Sequence, residues 1–274
     1  MKTGRVLVIA GSDSGGGAGI QADIKAVMAL GGFATTAITA LTAQNTRGVS
    51  AVLLVSPQFL RAQIDAVMAD IGADAIKTGM LPDIDSIEAV AAFIDTLEQA
   101  LPFVMDPVMV ATSGDRLQSE AALHALKTRL IPLATVITPN IPEAELLLGA
   151  SITDEASQRR AAETLLALGA GAVLVKGGHL TGETVTDILA TPTGLVAMTG
   201  ERIASTSTHG TGCTLASAIA AGLAQGMPLV DAVRRARAYV AEAILAAPGL
   251  GGGHGPLGHG VTVDPARIEA LGRF

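Results

Sequence analysis

Val6-Leu7-Val8-Ile9-Ala10-Gly11-Ser12-Asp13-Ser14-Gly15-Gly16-Gly17-Ala18-Gly19-Ile20 is the stretch on which the fold turns. An unbroken apolar run ending in glycine suits a strand buried on both faces of a parallel sheet, where neither face reaches water. Ile20, Ile24, Val27 and Met28 follow at helical spacing, so the glycine-rich loop joins a strand to a helix. Strand, loop and helix in that order predict an α/β fold, with the loop at the carboxyl end of its strand.

Two common uses of such a loop fail here. A phosphate-binding P-loop closes with Gly-Lys-Ser/Thr, and Gly16-Gly17-Ala18 supplies no lysine. The run Gly17-Ala18-Gly19-Ile20-Gln21-Ala22 fits the dinucleotide pattern G-x-G-x-x-A, but that fold needs an acidic residue about 20 positions on to hold a ribose. No Asp or Glu lies between Ile24 and Ile64.

Outward from the first strand, strand and helix patterns alternate. Ala34 to Thr42 is β-rich and leads into a polar turn, Ala43-Gln44-Asn45-Thr46-Arg47-Gly48, before a strand at Ala51 to Val55. Leu60, Ile64, Val67, Met68 and Ile71 mark a helix, Ala75 to Gly79 a short strand, and Ile87, Val90, Ala91, Ile94 and Leu97 the next helix. Phe103-Val104-Met105 ends at Asp106, Thr135 to Thr138 runs into Asn140 and Glu143, and Ala172 to Val175 ends at Lys176. Thr184 to Ala190 and Gly194 to Thr199 read as an antiparallel hairpin. Leu229 to Ala247 forms a last helix, whose Arg234, Arg235 and Arg237 are expected on a solvated face. Gly249 to Gly260 reads as a flexible glycine-histidine tail. The pattern predicts a single doubly wound, mostly parallel α/β domain over residues 1–274.

Composition narrows the function. The chain has 274 residues, a net charge of −7, one cysteine, no Trp and 2% aromatic residues. Acidity with so few stacking rings argues against a nucleic-acid partner. A single cysteine and five scattered histidines exclude a disulfide framework and a zinc motif. The N-terminal apolar run is too short for a signal peptide or a membrane span, which predicts a cytoplasmic protein without a membrane partner.

Near the end of the chain, Ser207-Thr208-His209-Gly210-Thr211-Gly212-Cys213 precedes Leu215, Ile219 and Leu223 at helical spacing. A glycine turn opening a buried helix directs free N–H groups to one point, where the helix terminus adds partial positive charge. Cys213 lies in that first turn, where a thiol pKa is expected to fall; a small cysteine packing a helix start is the other reading. Glu143 likewise reads either as a site carboxylate or as a first-turn residue favouring the dipole. Taken together, the Gly11–Gly19 loop, Gln44, Asp106, Asn140 with Glu143, Lys176 and the Gly210–Cys213 turn fall at one sheet edge. They supply what phosphoryl transfer needs: carboxylates for hydrated Mg²⁺, a lysine and an anion hole for phosphates, and a base.

These residues resemble the ribokinase-like superfamily through Gly210-Thr211-Gly212, Asn140-x-x-Glu143 and Lys176. The stretches Ala10 to Asp23, Thr39 to Thr46, Lys77-Thr78-Gly79-Met80, Val175 to His179 and Thr208 to Thr214 resemble, more narrowly, the hydroxymethylpyrimidine/phosphomethylpyrimidine kinases of thiamin biosynthesis. The resemblance implies two successive ATP-dependent phosphorylations, with ATP and Mg²⁺ as cofactors and a homodimer as the assembly. It implies that Gln44 bonds the pyrimidine ring, with Gly11, Asp23 and Met80 lining the same pocket. It further implies that Lys176 and Thr208 contact ATP, that Asp106, Asn140 and Glu143 act on Mg²⁺, and that Gly210, Thr211, Gly212 and Cys213 carry catalysis. Most sugar kinases of the superfamily have Asp where this chain has Cys213. A pyridoxal kinase of the same superfamily and a non-catalytic pyrimidine sensor are the alternatives. The glycines and prolines allow lids in several places, with Gly15–Gly19 and Gly114 to Gln118 the first candidates.

Overall fold

The computed structural model describes residues 2–109 and 119–264. Among them the strands are β1 (Arg5–Asp13), β2 (Phe33–Asn45), β3 (Gly48–Leu54), β4 (Ala75–Thr78), β5 (Phe103–Met105), β6 (Val136–Ile137), β7 (Val173–Val175), β8 (Thr184–Thr191) and β9 (Gly194–Glu201). They form one sheet in the order β3-β2-β1-β4-β5-β6-β7-β8-β9. From β2 to β7 all neighbours are parallel, whereas β3, β8 and β9 pair antiparallel at the two edges. The strand order reverses between β1 and β4, which opens a crevice at their carboxyl ends.

The helices are α1 (Gly19–Ala29), α2 (Pro57–Asp70), α3 (Ile84–Asp95), α4 (Glu120–Ala125), α5 (Ile141–Leu148), α6 (Glu155–Leu166), α7 (Thr211–Ala224) and α8 (Leu229–Leu245). Alternation along β1 sorts them into two layers. Leu7 and Ile9 share a core with Leu60, Ile64, Ile87, Val90, Ala144 and Leu165 from the α2–α6 side. Val6, Val8 and Ala10 pack with Ile20 and Val27 of α1, Ile219 of α7 and Val233 of α8. Burying such aliphatic side chains stabilises the fold by roughly 1.5–3 kcal/mol each, which is why the N-terminal strand sits centrally. The expected doubly wound sheet is present.

Several expectations of detail are corrected. A bulge between Ala10 and Ser12 lets β1 continue to Asp13, so the loop is shorter than the glycine run. The turn expected over 43–48 is confined to Thr46-Arg47: β2 runs to Asn45 and pairs with β3, with a second bulge at Ala43/Gln44. Arg234 is exposed, but Arg237 binds Asp187 at 2.7 Å and Arg235 binds Gln225 at 2.7 Å, so the arginines are not one solvated face. The glycine-histidine segment is docked rather than loose. Its backbone bonds Thr46, Thr206, His209 and Ala243, and the buried His259 bonds Thr214 at 2.9 Å. Gly114 to Gln118 lies outside the described residues.

Candidate active site

Phosphate chemistry needs anion-binding amides beside fixed charges, and α7 provides the amides. Gly210 caps α7 with φ +82°, and a Cβ there would stand 1.9 Å from the Gly17 carbonyl oxygen. Only glycine allows this turn and the contact between the N-terminal loop and α7. The amide of Thr211 bonds the Thr208 carbonyl at 3.3 Å, so of the expected anion hole the first-turn amides of Gly212 and Cys213 are those that helix geometry leaves pointing outward.

Opposite that turn lie the ends of β5, β6 and β7. A Cβ on Gly212 would be 3.1 Å from Lys176 Nζ and 3.5 Å from an Asp106 carboxylate oxygen. Lys176 donates to Asp106 at 3.1 Å and stands 3.9 Å from Glu143. Thr138 donates to the same Asp106 oxygen at 2.9 Å. Burial disfavours the Lys176 ammonium, but Asp106 and Glu143 overcome it and hold the pKa above its usual value. Burial pushes the Glu143 carboxyl up to about 7, with Lys176 opposing.

Two carboxylates, Asp106 and Glu143, converge beside Lys176. No group of three His, Cys, Asp or Glu among the described residues could cage an ion. Asp106 and Glu143 suit an ion that keeps its waters and takes phosphate oxygens, as Mg²⁺ does. Asn140 and Glu143 also cap each other's backbone: the Asn140 side chain accepts from the Glu143 amide at 2.9 Å, and Glu143 accepts from the Asn140 amide at 2.8 Å. This capping box starts α5.

Cys213 is partly covered, and its thiol pKa is raised rather than lowered. Burial pushes it up to about 12, Asp23 and Asp106 add to the rise, and Lys77 and a Gly19 amide oppose it. The helix terminus is outweighed by the surrounding protein.

Beneath Cys213 lies a buried ion pair. Lys77 donates to both Asp23 oxygens at 2.8 and 2.9 Å, Ser217 donates to Asp23 at 2.7 Å, and both charged residues are 0% exposed. Asp23 thus faces Lys77 and Ser217 instead of lining a ligand space, which corrects its expected place. The sequence held a signal for this: Asp23 shares the apolar face of α1 with Ile20 and Val27, and Lys77 interrupts an apolar strand.

Around the crevice mouth, Gly11 lies against Met80, since a Cβ there would be 2.7 Å from Met80 Cε. Gln44 stands beside His209, and Thr208 is exposed near His254. The Gly15–Gly19 segment is pinned, not free to act as a lid: Asp13 accepts from Gly15 at 2.8 Å, Gly17 at 3.0 Å, Ala18 at 2.8 Å and His209 at 2.9 Å. Although burial favours the neutral acid, the bonds from His209, Ala18 and Gly15 hold the Asp13 pKa below its usual value. Asp13 and His209 lie within the two glycine-rich motifs, and nothing in either motif marks them as partners. Their pairing spans 196 positions and has no local signal.

Fold and site together define an α/β phosphotransferase of ribokinase-like architecture. A family model described as phosphomethylpyrimidine kinase matches residues 13–258. The chain is 52% identical to the thiamine biosynthesis bifunctional protein ThiED of Geobacter sulfurreducens, covering 96% of this chain but only 54% of that longer protein. It is 52% identical to the hydroxymethylpyrimidine/phosphomethylpyrimidine kinase of Rhizobium meliloti, covering 94% of this chain and 97% of the relative. Among solved structures, the ADP complex of Bacillus subtilis pyridoxal kinase superposes with a TM-score of 0.88 at 36% identity, covering 95% of this chain and 98% of that one. The chain belongs to the hydroxymethylpyrimidine/phosphomethylpyrimidine kinase family.

Proposed function

We propose that this chain transfers the γ-phosphoryl group of ATP to the 5-hydroxymethyl of 4-amino-5-hydroxymethyl-2-methylpyrimidine, and then phosphorylates the monophosphate to the diphosphate. The observation that carries this reading is the convergence of Gly212, Lys176 and Asp106 at one point of the sheet edge. An incoming phosphoryl group there meets helix amides and a half-buried ammonium, fixed donors that stabilise charge as it moves to the γ-oxygens. Mg²⁺, held through water by Asp106 and Glu143, would neutralise phosphate charge. Gln44 and Met80 face the ring, Gly11 leaves room for the Met80 side chain that packs against it, and Thr208 lies on the nucleotide side.

Cys213 is the proposed acceptor of the hydroxyl proton. Oxygen then attacks phosphorus as the bond to ADP breaks. The thiol must first lose its own proton, which Lys77 favours and burial opposes. Turnover is therefore expected to climb as pH rises from 7 to 9, and Cys213→Ala to lower kcat by about 10²-fold, the usual scale of general base catalysis. A flat pH profile or near-normal turnover of Cys213→Ala assigns the proton to another group.

Likeness to the pyridoxal kinase supports a second reading, in which pyridoxal is the preferred ring. ADP release measured with each ring, with analysis of mono- and diphosphate products, separates the two. Both pyrimidine products in sequence support the first reading, and a clear preference for pyridoxal overturns it.

The chain is proposed to act as one cytoplasmic kinase domain over residues 1–274, its single described sheet spanning both halves of the site. No helix among the described residues is long and apolar enough to cross a membrane. A homodimer through β3 is also proposed. That edge strand exposes Val49, Val52, Leu53 and Leu54, with Leu41 paired opposite Leu53, and an exposed apolar edge is a ready pairing surface.

A further inference from the structure

The surroundings of Gln44 obey a hydrogen-bond logic that decides which way its amide points. Asp13 Oδ2 accepts from the Gly17 and Ala18 amides and lies 2.9 Å from His209 Nε2. A carboxylate can only accept, so Nε2 must carry the hydrogen. The same nitrogen lies 3.3 Å from the Gln44 terminal atom placed as the amide nitrogen. That one hydrogen serves Asp13 first, and the Gln44 atom facing it can share it as an acceptor but cannot donate to it.

Thr42 gives an independent constraint from the other side. Its hydroxyl lies 2.9 Å from the Ser12 carbonyl and 3.0 Å from the Gln44 atom placed as oxygen. One hydroxyl has one hydrogen, and the carbonyl can only accept it. The Gln44 atom beside Thr42 must therefore donate. A half-turn of the amide lets its NH2 donate to Thr42 and puts its carbonyl beside Nε2–H, whose one hydrogen is then shared between Asp13 at 2.9 Å and the Gln44 oxygen at 3.3 Å; amide oxygen and nitrogen are distinguished by such networks.

We propose that Asp13, His209 and Thr42 are positioning residues that lock the Gln44 amide with its carbonyl toward His209 and its NH2 toward Thr42, selecting a ring edge with an amino donor beside a ring-nitrogen acceptor. The second lone pair of the carbonyl and the second amide hydrogen then face the ligand in a set order. A 4-aminopyrimidine has such an edge at its amino group and adjacent ring nitrogen. Pyridoxal has a ring nitrogen flanked by carbon-bound groups and offers no such pair. The bulge at Ala43/Gln44 is the backbone feature that turns Gln44 into this network. The proposal rests on the reading of Gln44 as the ring contact.

Two measurements test it. Selective ¹⁵N labelling of histidine reports the tautomer: a hydrogen on His209 Nε2 is expected, and a ring protonated only on Nδ1 overturns the lock. In kinetics, Thr42→Val and His209→Phe are each expected to raise the pyrimidine KM about tenfold, the scale of one hydrogen bond. The ATP KM stays in place, the preference for pyrimidine over pyridoxal in kcat/KM falls, and Thr42→Ser retains normal values. Should Gln44→Ala weaken pyrimidine binding while Thr42→Val and His209→Phe do not, the lock is wrong and the Gln44 contact stands. Should Gln44→Ala itself leave the pyrimidine KM unchanged, the underlying contact fails and the proposal with it. Equal rises in both KM values mean a structural role only, which also overturns it.

Discussion

Replacing Lys77 by methionine tests the charge buried under the site. Lys77 and Asp23 are 0% exposed and joined by two bonds at 2.8 and 2.9 Å, with Ser217 adding a third to Asp23. Burial disfavours both charges: it pushes the Asp23 carboxyl up, yet that carboxylate holds the Lys77 ammonium above its usual range despite the burial. Methionine fills similar volume but leaves Asp23 with Ser217 as its remaining polar partner in that contact. Breaking a buried pair from one side costs about 3–5 kcal/mol, because the surviving charge is uncompensated. Against a total stability of about 5–15 kcal/mol, that is a large fraction. Asp23→Leu should be comparably severe, and Lys77→Met combined with Asp23→Leu should recover most of the loss, since an apolar pair of like volume has no charge to desolvate. Urea denaturation of the singles and the double, followed by far-UV circular dichroism, gives the coupling energy directly. Single variants costing under about 1 kcal/mol, or a double costing the sum of the singles, would refute the account of this pair.

Gly210→Ala is expected to unseat α7 from the N-terminal loop, since φ is +82° and the new Cβ would meet the Gly17 oxygen at 1.9 Å. Thermal stability and turnover should both fall, while Gly260→Ala, with nothing within 4 Å, leaves both in place; a normal Gly210→Ala protein would contradict the turn. The pH dependence of stability is set in part by His259, whose burial, aided by the Lys25 charge, lowers its pKa to about 4. Between that value and the unfolded value near 6.5, only the unfolded chain takes up the proton, so stability falls as pH drops. From pH 7 to 5 this amounts to about 2 kcal/mol. His259→Gln should remove that increment from urea midpoints measured at the two pH values, and an unaltered pH dependence counts against it.

Local pattern was enough for the elements and for much of the site's membership. The unbroken run Val6 to Ala10 demanded a strand with two covered faces, and helical spacing after Gly19 and Gly210 demanded helices whose N-termini face the strand ends. Asp106 and Lys176 could be placed at one edge because parallel strands put every strand-end residue on the same side. Three-dimensional packing decided what those residues do. Asn140 and Glu143 read as metal residues by type, and packing adds that each caps the other's backbone at the start of α5. Asp23 reads as a pocket residue by proximity, but Lys77 and Ser217, distant in sequence, take its carboxylate into the core. Cys213 should be acidified by its helix turn, yet burial by neighbouring elements raises its pKa. Sequence pattern reports periodicity, which is a property of neighbours along the chain. Partnership, desolvation and the direction of a hydrogen bond are set by atoms brought together across it, and at this site they join Asp13 to His209 and Asp23 to Lys77.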